Sequence, residues 1–226
     1  MKEEKRKLLP VVLRDTAPVI AGYVILGMGF GILMKANGYG ILLSVIMSFC
    51  IYAGSMQYAA VGLLTGNASL LTVALTTVAV NARHVFYGIS MIDKYKNAGI
   101  RKPYLIFALT DETYSIVCKT ERDNDYCLLV SAFDQCYWIA GTLLGGLIGS
   151  ALNYDFKGID FSLTALFVTV FTDQWLRTKN HFASILGVLC SVASLLIFGT
   201  DNFLIPSMVA MLVVLLIPRK GGAKNA

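Results

Sequence analysis

Charge is what this chain has least of. Asp, Glu, Lys and Arg make up 15% of its 226 residues, against about 25% in an ordinary soluble domain. So few charges cannot cover one water-facing globule of this size. Histidine is scarcer still: two residues, with no His-x-x-x-His spacing and no Cys-x-x-Cys pair, which leaves a metal centre without a ligand set. The five cysteines, Cys50, Cys118, Cys127, Cys136 and Cys190, lie in or beside apolar segments and read as packing residues, not as a disulfide framework. No Gly-x-x-x-x-Gly-Lys-Ser/Thr loop is present, which excludes ATP hydrolysis through that motif. Ser55 lacks the Gly-x-Ser-x-Gly setting, so a hydrolase pairing it with His84 has no support. The expectation is no enzyme, no metal and no cofactor.

What the chain has instead is apolar length. Hydrophobic residues make up 56% and the mean hydropathy is +0.66. About 20 apolar residues at 1.5 Å each cross a hydrocarbon core of about 30 Å. On that basis the candidates are 16–34, 39–64, 68–92, 103–118, 126–152, 160–175, 181–199 and 203–218. Turn formers such as Asn37-Gly38, Gly66-Asn67 and Asn153-Tyr154-Asp155 stand between them. The predicted fold is all-α, a polytopic helical membrane protein of six to eight segments: a basic arm over 1–15, one membrane domain over 16–218 and a basic tail over 219–226. The basic start reads as the flank of a retained first helix, since no small-residue cleavage site follows.

The net charge of +5 sits mostly at the ends and in a few loops, where it meets anionic lipid, and nucleic acid is not an expected partner. Lys2, Lys5, Arg6, Lys7 and Arg14 precede the first segment, and Arg219, Lys220 and Lys224 follow the last, which predicts cytoplasmic termini. Eight simple crossings would place Lys94, Lys96, Arg101 and Lys102 outside, against that bias. Two segments offer a way out: 39–64 is interrupted at Ala53-Gly54-Ser55, and 103–118 is short, begins at Pro103 and holds Asp111-Glu112 midway. If both are re-entrant, the basic loop returns to the cytoplasm and six crossings remain. The alternative is a pair of kinked, continuous helices. Broken backbone at membrane depth is tolerated where protein or a water-filled cavity satisfies it, so such breaks point to a substrate site.

Charge inside a span costs about 2.5–3.5 kcal/mol at a helix centre and marks function or a static ion pair. The candidates for substrate binding are Gly54, Ser55 and Gln57 at the first break, then Asn81, Arg83, His84 and Tyr87. Arg83 has the planar fork that fits a carboxylate, and Asn81 can donate and accept; the alternative for Arg83 is snorkelling to the interface. Asp111, Glu112 and Asp134 are the candidates for proton coupling, because a carboxylate in a low-dielectric site can take and release a proton near neutral pH. Asp134 lies about 13 Å into its segment at helical rise. Phe86, Met56 and Tyr58 are candidates for an apolar pocket. Asp173, Gln174, Trp175 and His181 read as interfacial anchors. Gly27 and Gly31, and Gly141, Gly145 and Gly149, are four apart and form smooth stripes for helix packing.

Ala53-Gly54-Ser55-Met56-Gln57-Tyr58, then Asn81-Ala82-Arg83-His84-Val85-Phe86-Tyr87-Gly88, then Asp111-Glu112-Thr113 together resemble the AzlC-type branched-chain amino acid exporters. Their order and spacing agree along nearly the whole chain, and the Asn-x-Arg-His-x-x-Tyr-Gly element is the most specific. The resemblance implies efflux of leucine, isoleucine, valine and methionine across the cytoplasmic membrane. It also implies a small AzlD-type membrane subunit as partner. The residues themselves leave open a carrier or channel for another small polar solute, or a non-transporting scaffold.

Overall fold

The computed structural model describes residues 2–151, 161, 164–165, 168, 171–172, 175–176 and 181–216, and no strand occurs among them. The helices are α1 (Lys2–Ala36), α2 (Ile41–Cys50), α3 (Gly54–Thr65), α4 (Leu70–Asn81), α5 (Arg83–Ser90), α6 (Lys102–Phe107), α7 (Asp111–Val117), α8 (Asn124–Ala151), α9 (Phe182–Asn202) and α10 (Leu204–Leu216). Asp173, Gln174, Arg177, Lys179 and the expected tail from 219 lie outside the described residues. Leu8–Ala36, Asn124–Ala151 and Phe182–Gly199 are each long and apolar enough to cross a membrane, and α4 with α5, bent by 48°, forms a fourth candidate. α2, α3, α6 and α7 each fall short of the about 20 residues a crossing needs.

Two elements differ from the sequence expectation. Helix α1 begins at Lys2 and continues through the basic stretch ahead of residue 16. Segment 68–92 is not one helix, because α5 leaves the axis of α4 at Ala82. Both suspected breaks are present, between Cys50 and Gly54 and between Phe107 and Asp111. At the first, Tyr52 has φ 43°, the left-handed region that costs a residue with a Cβ about 1–2 kcal/mol.

The described chain forms two compact units, residues 1–73 with 80–163, and 74–79 with 164–226. In the first, α1 and α8 run parallel in near backbone contact. Asp15 meets Tyr126, a Cβ on Gly27 would lie 2.7 Å from the Trp138 carbonyl oxygen, and one on Gly149 would lie 3.2 Å from Lys35. Both glycine stripes face this seam: Gly31 lies against Thr142 and Gly146, Gly141 against Val24, and Gly145 against Met28. Small residues permit the approach, and close packing is the attraction left once lipid replaces water.

The broken pairs enter this scaffold from opposite ends. Ile41, at the start of α2, touches Gly146, whereas the last turn of α2 reaches the middle of α8, where Gln135 Nε2 donates to the Phe49 carbonyl at 3.1 Å. Helix α3 starts against Trp138 and returns toward the α1 terminus, where Leu33, Asn37, Gly62 and Thr65 line one cleft. The pair α6–α7 does the reverse. Leu105 and Val117 share an apolar core with Val12, Met91, Tyr95, Ala98 and Tyr126, at the beginning of α1 and α8. The basic loop between α5 and α6 closes on the same end, with Lys94 Nζ donating to the Val117 and Thr120 carbonyls and Arg101 pairing with Asp125. Tyr52 and Phe107, one from each break, stand 6.2 Å apart between ring centroids.

In the second unit, Met211 of α10 packs over Gly187 of α9. Trp175 stacks on His181 at 4.0 Å.

Candidate functional site

A break in a helix frees backbone groups that need partners, and α8 supplies them. Gln135 donates to Phe49 and accepts from the Tyr104 hydroxyl at 2.7 Å, so one amide ties α2 to α6. One turn on, Trp138 Nε1 donates to Gln57 Oε1 at 2.9 Å. Gln57 Nε2 donates to Ser48 Oγ at 2.9 Å, and Ser48 shares a proton with Thr142 at 2.8 Å. Gly54 is required here because a Cβ would lie 2.8 Å from the Trp138 ring. Gly54 and Gln57 therefore serve to seat the first pair on α8. Gln57 is fully buried with both ends of its amide engaged.

Arg83 opens α5, just past the bend. Its Nη2 donates to Ser55 Oγ at 2.9 Å, and its Nη1 lies 2.5 Å from Asp111 Oδ2. Ser55 belongs to the first turn of α3 and Asp111 to the first turn of α7, so the guanidinium bridges the two broken pairs. The Arg83 and Asp111 side chains are 37% and 33% exposed, neither sealed in a core nor free in solvent. Arg83 Nε and Asp111 Oδ1 are buried without a partner, and so is Oδ1 of Asn81, two residues before Arg83. Unsatisfied buried polar atoms are expensive. Together they are one donor and two acceptors, the complement of a carboxylate and an ammonium.

The other candidates separate around this point. His84 meets the Tyr87 ring edge-on at 5.9 Å, and Tyr87 stacks on Tyr114 at 4.5 Å. Met56 and Tyr58 are buried, Tyr58 donating to the Leu26 carbonyl at 2.7 Å, while Phe86 is exposed. Glu112 and Asp134 are not partners of Arg83. Glu112, exposed on α7, accepts from the Tyr23 hydroxyl at 2.8 Å. Asp134, fully buried, accepts from Thr113 Oγ1 at 2.8 Å. The sequence reading gave no role to Tyr23, Thr110, Thr113, Gln135 or Trp138. Two of them carried a signal: Thr113 stands in the Asp111-Glu112-Thr113 motif, and Thr110 precedes an acidic first turn, as an N-cap does, its side chain accepting from the Thr113 amide.

Residues 18–152 match the model of the family described as AzlC protein. The chain is 41% identical over 210 residues to the branched-chain amino acid transport protein AzlC of Bacillus subtilis, covering 91% of this chain and 83% of that one. It is 39% identical over 210 residues to an uncharacterized membrane protein of Helicobacter pylori, covering 91% and 92% of the two chains. To the inner membrane protein YgaZ of Escherichia coli it is 29% identical over 198 residues, 79% of each. No solved structure matches. A family model that fits the stretch from Pro18 to Leu152, with Arg83 and both breaks inside it, and a relative of this similarity place the chain in the AzlC family.

Proposed function

We propose that this protein is the large subunit of a secondary carrier that exports branched-chain amino acids, with methionine as a further substrate, across the cytoplasmic membrane in exchange for protons. It performs no catalysis. The observation that carries the reading is the Arg83 bridge between Ser55 and Asp111, with unsatisfied polar atoms around it. A zwitterion presents a carboxylate to Arg83 and Asn81-side space to its ammonium, and Asp111 exchanges its bond to Arg83 for one to that ammonium. Ser55, His84 and Tyr87 border this point, while Gly54 and Gln57 hold the break in place. The kinship to a protein named for branched-chain amino acid transport supports the substrate class.

In this reading residues 16–218 act as one membrane domain, with the two broken pairs re-entrant and both termini cytoplasmic. The return of the basic loop to the starting end of α1 supports that arrangement, because it brings Lys94 and Arg101 to the positive side. A small AzlD-type membrane protein completes the carrier.

The test is efflux of preloaded labelled leucine, isoleucine and valine from cells expressing this chain with its small partner. Efflux should accelerate and should slow when the pH gradient is collapsed. No acceleration for any of the three would overturn the substrate assignment, and insensitivity to the gradient would overturn proton exchange.

A further inference from the structure

The carboxylates Glu112 and Asp134 are joined by an unbroken line of hydroxyls. Glu112 Oε2 lies 2.8 Å from Tyr23 Oη, and Tyr23 Oη lies 2.6 Å from Thr110 Oγ1. Thr110 Oγ1 lies 3.0 Å from Thr113 Oγ1, and Thr113 Oγ1 lies 2.8 Å from Asp134 Oδ2. All four separations fall in the range of O–H···O hydrogen bonds.

Counting protons constrains the line. Each link needs one proton, since two oxygens at these distances repel without one. Three hydroxyls supply three protons to four links. The fourth proton must sit on a carboxyl group. With Asp134 protonated, Asp134 donates to Thr113, Thr113 to Thr110, Thr110 to Tyr23, and Tyr23 to the Glu112 carboxylate. With Glu112 protonated, every bond points the other way and the line is equally complete.

We propose that Glu112 and Asp134 hold one proton between them and that the hydroxyls of Tyr23, Thr110 and Thr113 carry it from one to the other. In the transfer Glu112 gives its proton to Tyr23, Tyr23 gives its own to Thr110, Thr110 to Thr113, and Thr113 to Asp134. Each hydroxyl ends with one proton, and the negative charge moves from Asp134 to Glu112. The line starts at an exposed side chain and ends at one that is 0% exposed, as a route from an entry to an interior site requires. At the inner end two further buried atoms, Asp134 Oδ1 and the Tyr52 hydroxyl, lack a hydrogen-bond partner, and Tyr52 stands beside Tyr23, Thr113 and Asp134.

The charged and titratable groups around the line are Asp111, Arg83 and Tyr87 beside Glu112, and Tyr52 and Tyr104 beside Asp134. The inference deepens the exporter reading, on which its role in transport rests, and divides the three acidic candidates. Asp111 belongs to the Arg83 site, and the shared proton belongs to Glu112 and Asp134. Tyr52, in the break three residues before Ser55, lies on the side of the line, beside Tyr23, Thr113 and Asp134.

Infrared spectroscopy of the whole chain in detergent tests this through the carbonyl stretch of protonated carboxyl groups. At neutral pH the wild type should show the area of one such group relative to the Glu112→Gln/Asp134→Asn double variant. Thr113→Val cuts the line and should shift the band, whereas Thr113→Ser should keep it. An absent band, an area of two groups, or a Thr113→Val spectrum identical to wild type would overturn the shared proton. If the double variant does not fold, the wild type at alkaline pH is the reference, and the Thr113 pair still decides. None of these readouts needs transport, so a chain that shows the shared proton but moves no amino acid would overturn the exporter reading alone.

Discussion

Arg83→Ala should bring amino acid efflux to background while the protein still inserts and purifies as wild type does. Arg83 donates to Ser55 and pairs with Asp111, and in the proposed cycle the same fork receives the substrate carboxylate. Hydrogen bonds to a charged group contribute about 1.5–3 kcal/mol, and every 1.4 kcal/mol is about tenfold in affinity. Loss of a two-bond fork is therefore a loss of at least about 100-fold. Arg83→Lys keeps the charge but not the planar fork, so its flux should fall between the two. The static alternative is an ion pair that only holds α5, α3 and α7 together. It predicts that replacing Arg83 and Asp111 together by apolar residues leaves transport intact. Efflux from that double variant at the wild-type rate would remove the carboxylate role.

The second large effect should come from the seam. A Cβ on Gly145 would overlap the Met28 backbone oxygen, and one on Gly31 would overlap the Thr142 backbone oxygen. A backbone atom cannot swing aside as a side-chain tip can. Overpacking a close contact costs about 1–3 kcal/mol or more, out of a total stability of about 5–15 kcal/mol. Gly145→Val forces α1 and α8 apart along their contact, so its cost should lie at or above that range. It should lower the midpoint of thermal loss of the monodisperse detergent-solubilised protein sharply. Gly22→Ala, where a Cβ meets nothing within 4 Å, should leave that midpoint unchanged.

The seam and the breaks were legible in the sequence for physical reasons. Glycines four apart put a smooth stripe on a helix, and the fold sets those stripes face to face. Gly54-Ser55 and Asp111-Glu112 marked both interruptions because a glycine or a carboxylate pair inside an apolar run needs special backbone or special partners. The first interruption falls slightly earlier, on Ile51, Tyr52 and Ala53, since the left-handed backbone belongs to a tyrosine, whose type does not announce it. The bend at Ala82 has neither proline nor glycine to signal it, so segment 68–92 read as one helix. At the site, residue type was informative and partnership was not. Gln57 had the chemistry of a substrate-binding group, yet Trp138, 81 positions away in sequence, occupies its carbonyl. Asp134 was deep by arithmetic alone, but its link to Thr113, and through Thr110 and Tyr23 to Glu112, exists only once α1, α7 and α8 are assembled.

Entry of the two broken helices from opposite membrane faces to meet at Arg83 is open to direct measurement. Single cysteines at Asn67 and at Lys96, in a background lacking the native cysteines, would be probed in intact cells with a membrane-impermeant thiol reagent. With a cytoplasmic N-terminus, re-entrant pairs put Asn67 outside and Lys96 inside. Asn67 should label at once and Lys96 only after the cells are permeabilised. Labelling of Lys96 from outside, with Asn67 protected, would mean that both broken segments cross the membrane and would contradict the account.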